Sequence, residues 1–197
     1  VLATAGLRDK DSACAVLLMA EAALVQKRAG RTLVDYLDDL SRQFGYYRNE
    51  VLNIVMTGLE GKQNMAKMLD ALRAAPPREV GGLAVTSFED LRDEAGRMGP
   101  FKGDTDRAAR NFLIFRMAGA GGLAAKVSLR PSGTEPKAKA YIEVCTDPRP
   151  AGTTDAAWAA TTAAADAQVQ KLATDFLAKA LATVGQTPPP GGDKLSR

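Results

Sequence analysis

The feature that most restricts the fold is a short segment in which apolar and polar residues alternate. Its apolar members are Ala138, Ala140, Ile142 and Val144, separated by Lys139, Tyr141 and Glu143. Successive side chains of a β-strand point to opposite faces, so the pattern predicts a strand with one buried and one exposed face. Half-exposed strands are typical of antiparallel sheets that are covered on one side only.

The neighbouring segments predict an α+β order. Strands are expected at residues 51–57, 83–86, 111–117 and 124–129, and helices at residues 60–73 and from Asp155 onward. The last helix carries an apolar stripe of Trp158, Ala165, Val169, Leu172, Phe176 and Ala180. Residues 87–110 are charged and glycine-rich, and are expected to form an exposed insertion or loop. The predicted fold is a mostly antiparallel sheet of four to five strands with helices packed on one face.

Two helices are predicted before this sheet. Residues 11–28 have apolar side chains at helical spacing, and a second helix begins after Thr32, with Asp35 placed for a capping box. Two short helices without a strand bury their apolar faces poorly, so we expect them to be left from a truncated α/β domain. The expected division is a helical remnant over residues 1–48, a sheet domain over 49–185 and a disordered, proline-containing tail over 186–197.

The composition excludes several classes of function. The chain of 197 residues contains no histidine, which removes the commonest general base and metal ligand. A net charge of +3 does not by itself indicate nucleic acid, and no apolar run is long enough to cross a membrane. Two cysteines without CxxC spacing indicate reduced thiols. We therefore expect a cytoplasmic protein with neither membrane nor nucleic-acid partners.

The segment richest in chemistry is RPSGTEPK at residues 130–137, between two predicted strands. Its prolines and glycine predict a tight loop whose successive N–H groups can turn toward one anion. An arginine can bind phosphate through two hydrogen bonds, and nearby lysines add positive charge. The candidate binding residues are Arg130, Ser132, Gly133, Thr134, Lys137 and Lys139. Two alternatives stay open: a plain turn whose polar groups face water, and a Lys139 that faces bulk solvent instead of a cleft.

RPSGTEPK followed by KAYIEV resembles the phosphate-binding loop in the last domain of the α-D-phosphohexomutases, the family of phosphoglucomutase, phosphomannomutase and phosphoglucosamine mutase. The preceding NFLIFRM and AKVSLR strands and the GLEGKQNMAKMLDALR helix are similar to that domain too. Near the start, RDKD at residues 8–11 resembles a turn close to the end of the family's third domain. The resemblance implies the end of domain 3 followed by domain 4, the C-terminal phosphate-binding domain with a TBP-like fold.

What the resemblance implies is an enzyme that interconverts hexose 1-phosphate and hexose 6-phosphate, with glucose or mannose as the sugar. In this family a phosphoserine of the first domain and a bisphosphate intermediate carry the reaction, assisted by Mg²⁺ bound to aspartates of the second domain. The last domain clamps the phosphate that is not transferred. The clamp would consist of Arg130, Ser132, Gly133 and Thr134, helped by Lys137 and Lys139, and Lys10 would face the cleft from the third domain.

Several family motifs are not found in these residues. The chain contains no serine-histidine-asparagine loop, DGDGDR-like run or Glu-Glu-Ser-Gly loop. We therefore expect these residues alone to be inactive and to bind no metal, with the N-terminal domains of the same polypeptide as partners. The alternatives are a non-catalytic phosphosugar-binding module that regulates a partner, a phosphoglucosamine mutase fragment and a nucleic-acid binder. Lys10 has the alternative interpretation of a surface lysine at a helix start.

Overall fold

Two units make up the chain, Val1–Gly45 and Tyr46–Arg197. The computed structural model describes residues 11–56, 59–132 and 137–189. Within those residues the first unit contains two helices, and the second contains six strands and three helices. None of the described helices is both long and apolar enough to cross a membrane.

The first unit consists of α1 (Ser12–Arg28) and α2 (Leu33–Phe44). The Asp11 carboxylate caps α1 by accepting hydrogen bonds from the N–H groups of Ala13 and Cys14 at 2.9 and 3.2 Å. The side chains and N–H groups of Thr32 and Asp35 form the predicted capping box at the start of α2. Both predicted helices are therefore confirmed. Their exposed apolar residues include Val16, Leu17, Met19, Val25, Val34, Leu37 and Phe44.

The second unit is built on one sheet of six antiparallel strands. In chain order the elements are β1 (Tyr47–Val55), α3 (Leu59–Ala74), β2 (Glu79–Val80), β3 (Leu83–Asp90), α4 (Asp104–Ala109), β4 (Leu113–Ala118), β5 (Ala124–Pro131), β6 (Lys137–Cys145) and α5 (Asp155–Ala182). The strands lie in the order β1-β6-β5-β4-β3-β2. The fold is α+β, as predicted, and the neighbouring strands β5 and β6 lie on either side of residues 132–136 in the chain.

Helices α3 and α5 cover one face of this sheet and enclose the core. The alternating residues of β6 behave as predicted, because Ala138, Ala140, Ile142 and Val144 are buried. All six residues of the predicted stripe in α5 are buried as well. The ring of Phe115 on β4 lies 5.1 Å from that of Phe88 on β3 and 5.5 Å from that of Phe176 on α5. These contacts join the strands to the long helix, and burial of the apolar side chains stabilises the layer.

The sequence prediction is wrong in two respects. The sheet has six strands rather than four to five, since the two-residue strand β2 was not expected. Residues 87–110, expected to be a loop, include the end of β3 and the short helix α4. Polar residues continue β3 because Glu89 and Asp90 pair with Ile114 and Leu113 of β4, and pairing depends on backbone groups. Residues 190–197 of the predicted tail lie outside the described residues.

Two glycines form the turn between β2 and β3, and one of them lies against α5. Gly81 and Gly82 have positive φ angles of 58° and 78°. The N–H group of Gly81 donates to an Asp175 carboxylate oxygen at 2.7 Å, and its carbonyl accepts from the Gln168 amide at 2.7 Å. A Cβ atom on Gly81 would lie 2.9 Å from the backbone nitrogen of Leu172, whereas one on Gly82 would meet nothing within 4 Å. The turn therefore docks on α5 through Gly81 alone.

We predict that Gly81→Ala destabilises the second unit more than Gly82→Ala does. Both substitutions place a side chain in the left-handed region, which costs about 1–2 kcal/mol. Only Gly81→Ala also forces the turn away from α5, which adds about 1–3 kcal/mol of packing strain. Urea unfolding followed by the fluorescence of Trp158, the single tryptophan, measures both free energies. Equal losses for the two variants would contradict the close approach of the turn to the helix.

Candidate phosphate-binding site

Four of the predicted binding residues lie at one end of the adjacent strands β5 and β6. Arg130 on β5 is the register partner of Lys139 on β6, and both side chains are exposed on the face opposite the helices. On the next strand, Asn53 of β1 pairs with Lys139. Ser132 and Lys137 lie beside this row, where the N–H group of Ser132 donates to the carbonyl oxygen of Lys137 at 2.7 Å. The end of the sheet thus carries three cations and a hydroxyl close together.

The remaining predicted site residues lie outside the described residues. They are Lys10, Gly133 and Thr134. What the structure describes of the segment at residues 130–137 is its two ends, Arg130 to Ser132 and Lys137. The roles assigned to the remaining residues therefore stay predictions.

Two of the cations at this end of the sheet, Arg130 and Lys139, have no carboxylate partner among the described residues. Further along the same face, Lys126 and Glu143 form an ion pair at 2.8 Å. Arg130 and Lys139, in contrast, form no ion pair with any carboxylate in the described parts of the chain. Like charges directly opposite each other on adjacent strands repel. An anion placed between them would relieve that repulsion, so the row of Arg130 and Lys139 favours a phosphate-like ligand.

A cavity of about 610 Å³ opens beside Arg130 and Ser132. Its other walls come from α3, from Arg92 after β3, from α4 and from Asn111 before β4. Because the chain after β3 returns through α4 to β4, this segment forms one side of the cavity next to the end of β5. The candidate site therefore includes this cavity as well as the exposed face of the sheet.

The wall formed by α4 is anchored by Arg110, which is buried. Its guanidinium donates to both carboxylate oxygens of Asp106, at 2.9 and 2.6 Å, and to the carbonyl of Gly99 at 2.6 Å. The same guanidinium lies over the ring of Phe101, 5.2 Å from its centre. The hydrogen bonds from Arg110 and from the Lys102 N–H group hold the pKa of Asp106 below its ordinary value. Arg110 thus contacts α4 through Asp106 and the preceding loop through the Gly99 carbonyl, and so holds the short helix against that loop.

The opposite wall is held by Arg73 on α3. Its guanidinium donates to carboxylate oxygens of Asp70 and Asp90, both at 2.9 Å, and to the side-chain oxygen of Asn111. A second carboxylate oxygen of Asp90 accepts from the backbone N–H group of Arg92 at 3.1 Å. Hydrogen bonds to charged groups are stronger than neutral ones. Arg73 therefore connects α3, the end of β3 and the start of β4 around the cavity.

Comparisons with known proteins agree with the resemblance seen in the sequence. A probable phosphomannomutase of Haemophilus influenzae is 34% identical over 137 residues, 70% of this chain and 24% of that protein. A phosphoglucomutase of Staphylococcus epidermidis is 32% identical over 148 residues, 74% of this chain and 26% of that protein. Over this stretch the chain is a phosphohexomutase homologue. No family model matches it.

This phosphohexomutase homologue spans about a quarter of the length of the curated relatives it matches. A third relative, the phosphoglucomutase of Staphylococcus haemolyticus, is 33% identical over 144 residues, which are 72% of this chain and 25% of the relative. The predicted family resemblance is therefore confirmed for most of the chain.

Mg²⁺ is the ion that the family resemblance implies. Hard divalent cations take several oxygen ligands, usually carboxylates. Within the described ranges, no three acidic, histidine or cysteine side chains come together to hold a metal ion. The acidic residues Glu89 and Asp90 pair with Arg97 and Arg73 instead. The described donor set therefore does not fit Mg²⁺.

Sequence reasoning missed the cavity and the residues that line it away from the RPSGTEPK segment. These residues include Lys62 of α3, Arg92 after β3 and Thr105 of α4. They are far apart in the chain, and the fold brings them to the same cavity beside the end of β5. The charged, glycine-rich character of residues 87–110 was a signal, but it indicated a solvated loop equally well. The spacing of these residues along the chain carries no motif.

We predict that the Lys102 N–H group reports the ionisation of Asp106 at acidic pH. Because the pKa of Asp106 is lower in the folded state, its carboxylate contributes to stability at pH values above the ordinary pKa of about 3.9. That contribution is lost as the pH falls through the lower pKa of the folded state. The amide chemical shift of Lys102, followed by NMR from pH 6 downward, should change with a midpoint below 3.9. Asp106→Asn should abolish this transition. A midpoint at or above the ordinary value would contradict the contacts of Asp106.

Proposed function

We propose that this chain supplies the substrate-phosphate-binding part of a phosphohexomutase that interconverts hexose 1-phosphate and hexose 6-phosphate, with glucose or mannose as the sugar. The observation that carries the proposal is the register pairing of Arg130 with Lys139, beside Ser132 and Lys137, in a homologue of these enzymes. The proposed role is to hold the phosphate that is not being transferred. Holding one phosphate fixes the position of the sugar relative to a reacting group elsewhere.

The geometry supports phosphate binding in three ways. Arg130 offers a planar group that forms two parallel hydrogen bonds to phosphate oxygens, while the Lys139 ammonium adds a compact charge. Lys137 and the Ser132 hydroxyl lie next to them at the ends of the strands. Because β5 and β6 pair along their whole length, these groups start from a backbone that is already ordered. Gly133 and Thr134 would add N–H donors between them.

Further parts of the proposal rest on the family resemblance. A phosphoserine in another domain would exchange its phosphoryl group with the substrate through a bisphosphate, and Mg²⁺ bound by that enzyme's aspartates would stabilise the transferred charge. Lys10 would face the substrate cleft. The other domains of the polypeptide would be the partners of this chain, and the enzyme would act in the cytoplasm.

We predict that Arg130→Ala weakens the binding of glucose 6-phosphate by about 1.5–3 kcal/mol, the loss expected for a hydrogen bond to a charged group. Arg116→Ala is the matched control, because Arg116 is an exposed arginine on β4, on the same sheet face. An NMR titration with glucose 6-phosphate, inorganic phosphate and glucose measures the affinities. We expect the amides of Ser132 and Lys139 to shift with both phosphates and not with glucose. An unchanged affinity after Arg130→Ala would contradict the proposed phosphate site.

The mutase activity is tested in a chimera. The matching quarter of the Staphylococcus epidermidis phosphoglucomutase is replaced by this chain, and conversion of glucose 1-phosphate to glucose 6-phosphate is measured. We expect an active chimera. Arg130→Ala should lower its kcat/KM about 10- to 150-fold, which corresponds to a loss of about 1.5–3 kcal/mol of binding free energy. A folded, phosphate-binding chimera without activity would show that this chain binds phosphate in a non-catalytic role.

A further inference from the structure

The cavity beside Arg130 is lined by positively charged residues in addition to those of the proposed phosphate site. Its volume of about 610 Å³ lies in the range of small-molecule sites. Three cationic residues line it, Lys62, Arg92 and Arg130, and none of the lining residues within the described ranges is acidic. A cavity lined by charges of one sign concentrates ligands of the opposite sign. The lining therefore favours an anion larger than a single small ion.

Arg92 is the most unusual of these cations because one of its donor atoms is buried without a hydrogen-bond partner among the described residues. Its Nε atom is buried and has no hydrogen-bond partner among the described residues. Burial, together with the positive charge of Arg73, lowers the pKa of the Arg92 guanidinium. The neighbouring carboxylate of Asp90 is engaged by Arg73 and by the backbone N–H group of Arg92. A buried hydrogen-bond donor without a partner is costly, so an acceptor in the cavity would stabilise it.

The other walls suit the body of an organic phosphate. Met65 and Leu69 of α3 are buried and, with Ala66, Ala108 and Ala109, give the cavity an apolar floor. Asn111 and Thr105 add polar groups at the side, and Arg73 holds the Asn111 side chain. Binding sites for small molecules commonly combine an apolar surface with a few fixed polar groups. Inorganic phosphate would use the cations only, whereas a phosphorylated sugar would also contact the floor and sides.

We propose that Arg92 and Lys62 are further binding residues for the same phosphate monoester that Arg130 and Ser132 hold, with the ligand extending into the cavity. This inference rests on the proposed function, because it assigns the ligand of that site to the cavity. Arg92 contributes hydrogen-bond donors from a partly buried position, and the exposed Lys62 contributes charge at the mouth. Four binding groups from α3, β5 and the segments that follow β3 and β5 would then surround one phosphate ester.

The test compares four variants of the chain that each remove one positive charge. Arg92→Met and Lys62→Met alter the cavity, whereas Arg78→Met and Lys67→Met are controls at exposed residues that do not line it. Methionine keeps an unbranched apolar stem, and Arg92→Lys tests whether charge alone restores binding. We expect glucose 6-phosphate to bind at least tenfold more weakly to Arg92→Met, severalfold more weakly to Lys62→Met, and unchanged to both controls. The urea midpoint of Arg92→Met should not fall, because its Nε has no described partner to lose.

The outcomes separate this inference from the proposed function. If Arg130→Ala weakens binding and Arg92→Met does not, the cavity residues are not ligands and only the inference is overturned. If Arg92→Met weakens binding and Arg130→Ala does not, the cavity binds the anion and the proposed role of Arg130 is wrong. If the unmodified chain binds neither glucose 6-phosphate nor inorganic phosphate at millimolar concentration, both are overturned. Equal weakening in the controls would show a general charge effect and would overturn the assignment of Arg92 and Lys62.

Discussion

The pairing of β5 with β6 is the constraint on which both the core and the candidate site depend. In the observed register, Leu129 lies opposite Ala140 on the covered face, and Arg130 lies opposite Lys139 on the exposed face. A slip of one residue would turn every side chain of a strand to the other face. Lys139 would then enter the core, where an unpaired charge is costly. The same backbone hydrogen bonds thus keep apolar residues inside and bring two cations together outside.

The cavity depends on a second set of interactions, made by the half-buried Arg73 and the buried Arg110. Arg73 connects α3 with Asp90 and Asn111, and Arg110 fixes α4 through Asp106. Both guanidinium groups are matched by carboxylates and carbonyls, so their burial is compensated. Arg92 lies between these networks without an equivalent partner for its Nε among the described residues. This contrast is why Arg92, among the partly buried arginines, is the one assigned to a ligand.

Much of the fold follows from local patterns in the sequence. The alternation in β6, the apolar stripe of α5 and the Thr32–Asp35 capping box each depend on the spacing of a few neighbouring residues, and all three appear in the structure. The polar end of β3 was missed because its pairing partners on β4 are distant in the chain. The strand β2 was missed because its two residues, which pair with β3 just across the Gly81–Gly82 turn, are too few to show an alternating pattern. The helix α4 was missed because Arg110 and the Gly99 carbonyl, rather than an apolar stripe, hold it in place.

The sequence by itself determined the α+β class, the relation to the phosphohexomutases and the choice of Arg130, Ser132, Lys137 and Lys139, because these depend on local periodicity and one contiguous motif. Only the tertiary structure decided that Arg130 lies directly across from Lys139, and that Lys62 and Arg92 line a cavity beside them. Strand register and helix docking minimise the free energy of the whole sheet and core. Residues separated by tens of positions therefore meet for reasons that no short segment contains.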